Sequence, residues 1–435
     1  MPESAYIVTS GSEATGEEKS STFFEIAIGI DLGTSQCSVA VWSGFRVELL
    51  KNTRNEKIMK SYVTFKGDTP SGGVCSQPSI EDEMFSRATI FNLKRLIGRV
   101  DTDLVVQACK NLPFLVQTMD IGVCPLIVAL VNNMWRSTTP EEVLAIFLVE
   151  LRAIIEDKLK RRIRNLTRIG RACAMADLHV LMLMPEPTAV ALLYAQQQQQ
   201  NCHENMGSGS EKIALVFNMG AAGRVSQIKA LAGSNIDLLQ NMMFHLLPES
   251  ENHFQSHEVS EMKRMGLLRV ATQDAIHQLS SQNTVQVDVD LGDDVKICRV
   301  VQREEFEEVN RKVFEKCESL IIQCLKDAKV EFQDLNDVII VSGCSCIPRV
   351  KSLLAKICGR KELYKGMNPL EAVVCGAAVE GAVASGINDP LGNLDLLTIQ
   401  ITPLAIGICA DGNKFVPIIP KDIAMPTRKK LVFTT

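Results

Sequence analysis

The chain has 435 residues, 46% of them apolar and 22% charged, with a formal net charge of −5. That is the composition of an ordinary globular protein with room for two or three domains. Its acidic balance argues against a nucleic-acid partner, which requires a clustered basic surface; the one basic run, Lys160, Arg161, Arg162, Arg164, Arg168 and Arg171, reads as the solvated end of a helix and its loop.

Residues 1–23 are polar and acidic, without the basic start and apolar stretch of a secretory signal, and are expected to form a disordered tail. IGIDLGTSQCSVAVW, residues 28–42, follows as two apolar runs around a glycine turn, by itself no more than a hairpin signal. The stretch IGVCPLIVALV is eleven residues long and contains Pro125, short of the roughly 20 that cross a bilayer, so no membrane partner and a cytoplasmic location are expected. A helix is expected from STTPEEVLAIFLVELRAIIEDKL: Thr139 can cap it, Pro140 suits its first position, and Glu141 and Glu142 favour its positive end. Val143, Phe147, Leu151, Ile154 and Ile155 recur at helical spacing, so one face packs on a core.

Gln196 to Gln200 with the NCHENMGSGSE that follows reads as an exposed loop, placing a lobe boundary near residue 205. Beyond it, EKIALVFNMGAAG repeats the opening plan of an apolar strand running into a glycine turn. DVIIVSGCSCIPRVKSLLAKIC repeats it again, through Ser342-Gly343-Cys344-Ser345 into an amphipathic helix. Turns after apolar strands are where backbone N–H groups are presented to an anion. No G-x-x-x-x-G-K-[ST] or G-x-G-x-x-G is present, so the common phosphate-loop readings fail. The 14 cysteines suit a reducing compartment, and Cys344 with Cys346 lacks the second pair that a zinc site needs.

In order, IGIDLGTSQCSVAVW, IFNLKRLIGR, MPEPTAVALLYA, VFNMG, VSGCSCIPRV, NPLEAVVCGAAVEGAVASG and LDLLTIQITPLAIGI resemble the seventy-kilodalton heat-shock chaperones over about residues 24–435. The resemblance implies an α/β, actin-like ATPase fold of two duplicated lobes, followed by the first β-strands of a truncated β-sandwich substrate-binding domain. It implies lobe I at 24–205, completed by 374–392, lobe II at 206–373, an interdomain linker at 393–399 and the sandwich strands at 400–435. ATP and Mg2+ are the implied cofactors. Unfolded clients, other chaperones, J-domain proteins and nucleotide-exchange factors are the implied partners. Gly33, Thr34 and Ser35 are then phosphate donors, and Asp31 faces the metal through water. Lys94 contacts the transferring phosphoryl group, and Glu186 meets the metal's water shell. Gly220, Ala221 and Gly343 complete the phosphate turns, and Ser280 lies at the base.

The chain departs from the pattern at informative places. The second phosphate hairpin, which in the family begins with an aspartate, leucine and three glycines, reads Asn218-Met219-Gly220-Ala221-Ala222. An amide cannot take a proton from an attacking water, and alanine methyls crowd a backbone that must approach phosphate. At the adenine site the arginine and lysine positions carry Cys346, Ile276 and His277. A strand is missing after Gly223 and another between RRIRNLTRIG and RACAMADLHV, which should leave neighbouring strands unpaired. Asp395, Leu396 and Leu397 match the linker, and ITPLAIGICADGNKFVPII alternates as strands around an Asp411-Gly412-Asn413 turn. Three readings stand: an ATP-driven chaperone with feeble hydrolysis, a catalytically inactive actin-like module that contacts other chaperones, and a shortened product without a stable fold.

Overall fold

The computed structural model describes residues 5–9, 26–44, 46–65, 70–73, 88–100, 102–103, 106, 112, 114–117, 123–131, 134–160, 175–176, 182–205, 212–218, 235–247, 259–292, 295–359, 362–387 and, more sparsely, 392–430. The first lobe is built on a sheet whose strands run in the order Met182–Met184, Ala5–Thr9, Ala27–Leu32, Gln36–Trp42 and Val47–Leu49, with Ile58–Lys60 also paired to Gln36–Trp42. Period-2 geometry divides the central strands between two faces. Ile28, Ile30, Leu32, Cys37, Val39 and Val41 enter one apolar cluster with Phe147, Leu148 and Leu151 of the helix Pro140–Leu159. Gly29 and Ala40 lie on the opposite face, beneath the helix Ala372–Ala384.

The helix Pro140–Leu159 starts as its sequence dictates. Thr139 Oγ1 accepts from the Glu142 N–H at 3.2 Å and Glu142 Oε2 accepts from the Thr139 N–H at 3.0 Å, a reciprocal capping box. Ala372–Ala384 is apolar apart from Glu380 and is buried along most of its length. Its small residues let it sit against backbone: a Cβ on Gly29 would lie 2.4 Å from the Ala378 nitrogen, and one on Gly376 would lie 1.9 Å from the Ala189 carbonyl oxygen.

The second lobe holds a parallel pair, Ala214–Asn218 beside Asp337–Val341, in register from Ala214 with Asp337 to Asn218 with Val341. Leu215, Phe217, Val338 and Ile340 face the lobe's own core, shared with helices Asn235–Leu246, Val259–Leu279, Arg311–Ala328 and Pro348–Ile357 and the hairpin Thr284–Gly292/Val295–Gln302. Val216, Ile339 and Val341 face the other way. They join Ala189, Val190 and Tyr194 of the helix Glu186–Asn205 and Val373 and Ala377 of the helix Ala372–Ala384 in a cluster that both lobes share. Tyr194 Oη donates to Asp337 Oδ2 at 2.5 Å across the same junction.

Two expectations are corrected. Ala5–Thr9, placed in a disordered tail, is a strand that pairs antiparallel with Ala27–Asp31 on one side and with Met182–Met184 on the other. Its Ala-Tyr-Ile-Val-Thr run suits a strand, and its position gives both Ala27–Asp31 and Met182–Met184 a backbone partner. Gln196–Gln200, read as loop, is helix within Glu186–Asn205. Glutamine is a good helix former, and no glycine or proline interrupts the run before Gly207. The glutamines are also used: Gln197 Nε2 donates to the Gly366 carbonyl at 3.1 Å and Gln199 Nε2 to the Gly392 carbonyl at 3.2 Å.

Toward the C-terminus, Ile406–Ala410 and Lys414–Ile419 pair antiparallel around residues 411–413, and Gln400–Ile401 pairs with Ala424–Met425. Asp395 and Leu397 of the linker motif and most of the basic run after Lys160 lie outside the described residues.

Candidate functional site

The first glycine turn closes the hairpin between Ala27–Leu32 and Gln36–Trp42, whose last pair is Leu32 with Cys37. Gly33 is required there, because a Cβ would lie 2.4 Å from the Gln36 carbonyl oxygen. Thr34 is buried in the turn, and the Ser35 carbonyl accepts from the Ser61 N–H at 3.0 Å. Asp31 has the same parity as Gly29, so it leaves the sheet on the face opposite the Ile28–Ile30 core.

Lys94 is presented by one turn of 3-10 helix, Leu93–Arg95, which begins at Asn92 in the left-handed region (φ 59°). Leu93 and Leu96 anchor this turn in the first-lobe core, and Lys94 between them is free to leave that core toward Glu186. Glu186 stands between Pro185 and Pro187 at the start of the helix Glu186–Asn205, where the helix dipole favours a carboxylate. Asn218 ends the first strand of the parallel pair.

These three residues, from three separate segments, meet on one carboxylate. Lys94 Nζ lies 2.8 Å from Glu186 Oε1, with the two side chains only 13% and 15% exposed. Asn218 Nδ2 donates to Glu186 Oε2. The contact fixes the amide's orientation, since the reverse would set its oxygen against a carboxylate. Asn218 Oδ1 is left buried without a hydrogen-bond partner. Asp31 belongs to the same electrostatic group: burial first, then the negative charge of Glu186, push its carboxyl up to about 8, against a smaller opposite pull from Lys94.

The third turn leaves the same sheet edge as the second. Val341 lies opposite Asn218 in register, so Ser342-Gly343 starts beside the residue that precedes Met219. Ser342 takes φ 68° and its N–H donates to the Pro369 carbonyl at 2.9 Å. The carboxyl ends of adjacent parallel strands are where open α/β sheets bind ligands. Gly220 and Ala221 lie outside the described residues. Ser280 is not brought to this group: its Oγ donates at 2.6 Å to the His277 carbonyl, finishing its own helix. His277 and Cys346 are exposed and Ile276 is half-buried.

Sequence reasoning missed Arg269. Its guanidinium carbon stands 5.5 Å from the centre of the Phe91 ring, joining the helix Val259–Leu279 to the strand that leads into Lys94. Helical periodicity gives the face of such a residue but not its partner 178 positions away, and no signal in the sequence pairs the two.

The order and the geometry agree with a single family. Residues 27–435 match the family model described as Hsp70 protein. The chain belongs to the Hsp70 family. It is 60% identical to Heat shock 70 kDa protein 8 of Arabidopsis thaliana over the whole chain and 80% of that relative. That alignment runs to 464 positions, so the relative carries segments with no counterpart among the 435 residues here. The chain is 30% identical to a heat shock protein of Pyricularia oryzae, over 96% of the chain and 71% of the relative. It is equally similar to a ribosome-associated molecular chaperone of Saccharomyces cerevisiae, over 95% and 70%.

Hsp70 membership carries the actin-like, two-lobed ATPase fold, binding of ATP, typically with Mg2+, and action on unfolded clients. No described helix is long and apolar enough to cross a membrane. The residues fit a triphosphate better than they fit its ion. Lys94 and the first turn offer positive charge and donors, whereas both Glu186 oxygens already accept from groups of this chain. Among the described residues no three His, Cys, Asp or Glu side chains gather as a metal site.

Proposed function

We propose that the chain is an ATP-binding chaperone module of the Hsp70 type, acting in protein folding in the cytoplasm, whose hydrolysis is feeble. One observation carries the second half of this reading: Asn218, at the head of the second phosphate turn, spends its amide on Glu186 and offers no basic oxygen. General-base assistance is worth about 10²–10⁴-fold, and turnover falls by that order. The first half is supported by the meeting of Asp31, Lys94, Glu186 and Asn218 beside turns at Gly33-Thr34-Ser35 and Gly343. In this reading Lys94 faces the transferring phosphoryl group, Gly220 and Ala221 complete the second turn, and Ser280 borders the base. The segment 393–399 is the linker, and 400–435 is the start of a peptide-binding sheet. Unfolded clients and the J-domain and exchange proteins of the family are the partners.

A second reading, an inactive actin-like module that contacts other chaperones, is favoured by Cys346, Ile276 and His277, which remove the stacking and donor groups that orient a base. Calorimetric titration with ATP, followed by single-turnover hydrolysis, separates the two. Binding with negligible turnover fits the proposal. Turnover equal to ordinary members of the family overturns the argument from Asn218, and absence of binding at millimolar nucleotide leaves the second reading.

A further inference from the structure

A bound divalent cation offsets two things in a phosphate cleft, the charge of the phosphates and the charge of the carboxylates that face them. Here the protein already offsets the second of these at Glu186. Glu186 receives the Lys94 ammonium on Oε1 at 2.8 Å and the Asn218 amide on Oε2, and the ion pair is largely withdrawn from solvent. Its two partners enter from different lobes, Lys94 from the turn after Phe91 and Asn218 from the end of the parallel pair, so the arrangement draws on both lobes. An aspartate at 218 would instead set a second negative charge in contact with Glu186, a like-charged pair stable only with a cation or a proton between them. Asparagine removes that charge, and it also removes one carboxylate that would repel phosphate.

We propose that this cleft takes its adenine nucleotide without needing a divalent cation, with Lys94 and the Asn218 amide standing in for the ion at Glu186, and that Asn218 sets this preference. The inference rests on the ATP-binding reading. It differs from the Mg2+ dependence expected from the resemblance. The two charge effects act in one direction: the Asn218 side chain weakens attraction for Mg2+ and eases entry of the metal-free triphosphate. The buried Asn218 Oδ1, without a hydrogen-bond partner of its own, is a neutral acceptor, suited to a water or hydroxyl proton rather than to a metal ion's charge.

The test is calorimetric titration of the full chain with ATP in EDTA and again in excess MgCl2. The dissociation constants should agree within about threefold, less than half of the 1.4 kcal/mol that a tenfold difference represents. In Asn218→Asp, affinity in EDTA should fall about tenfold or more while affinity in MgCl2 changes less, opening a metal dependence the parent chain lacks. Binding at least about tenfold tighter with Mg2+ in the parent chain overturns this inference and leaves the ATP-binding reading intact. No binding in either buffer overturns both. Where Asn218→Asp fails to fold, the comparison of the two buffers on the parent chain still decides.

Discussion

Replacing Lys94 by methionine keeps the stem that crosses from the Leu93–Arg95 turn and deletes only the charge opposite Glu186. At a 2.8 Å separation and an effective dielectric of about 20, the gross attraction is about 6 kcal/mol. Desolvating two ions that are only 13% and 15% exposed takes back most of it. What the single variant measures is mainly the cost of an unpaired buried carboxylate, about 3–5 kcal/mol for complete burial. The Asn218 amide remains on Oε2 and Glu186 retains some access to water, so we expect about 2–3 kcal/mol for Lys94→Met. In Lys94→Met/Glu186→Gln the charge is gone from both sides, and most of that loss should return. Urea unfolding of the four chains at pH 7, free of nucleotide, gives a coupling of about 2 kcal/mol from the double-mutant cycle. A coupling below about 0.5 kcal/mol, the range of exposed surface pairs, would refute the picture of a withdrawn pair around which the cleft is organised.

Three other outcomes follow from the geometry. Gly376→Ala places a methyl 1.9 Å from the Ala189 carbonyl oxygen, where only backbone can yield, so the helices must separate at a cost of about 3 kcal/mol or more; a melting temperature equal to that of the parent would contradict this. Asp31→Asn tests the buried carboxyl: because its folded value near 8 lies above the unfolded 3.8, the folded chain holds a proton that the unfolded chain has released between those values. Stability therefore falls as pH climbs through that window, by at most about 1.4 kcal/mol per pH unit, and levels off above it. The variant's advantage in thermal melts should accordingly grow from pH 5 to pH 8.5, and parallel melting curves would show that burial is not the cause. Removing residues 1–23 should strip the pairing partner from both Ala27–Asp31 and Met182–Met184 and yield self-associating protein by size-exclusion chromatography; a stable monomer would mean the Ala5–Thr9 strand contributes little.

Local rules were enough for much of the fold. Thr139, Pro140 and Glu142 announce a helix start because capping is decided within four residues, and the strands before Gly33, Met219 and Ser342 are apolar runs stopped by turn residues. The misreadings arose where a distant partner overrides local composition. Ala5–Thr9 is a strand because two strands, one of them near residue 183, have backbone to offer it, and Gln196–Gln200 is helix with side-chain partners at Gly366 and Gly392. The site divides the same way. Lys94, Glu186 and Asn218 could each be picked from a motif, but they are 92 and 32 positions apart along the chain, and nothing local states that they share one carboxylate. Asn218 in particular reads in the sequence as a lost base, whereas its amide as a donor to Glu186 is a fact of the fold.

The helix Ala372–Ala384 belongs by packing to strands made some 340 residues before it, Ala27–Leu32 and Gln36–Trp42. During synthesis at about 5–20 residues per second, those strands wait tens of seconds for their cover. Over that interval Gly29, Ala40 and Trp42 lie on a face that is fully enclosed only later. The first lobe is therefore the part of the chain whose sheet stays uncovered longest, and its enclosure is completed only when the last helix has been made.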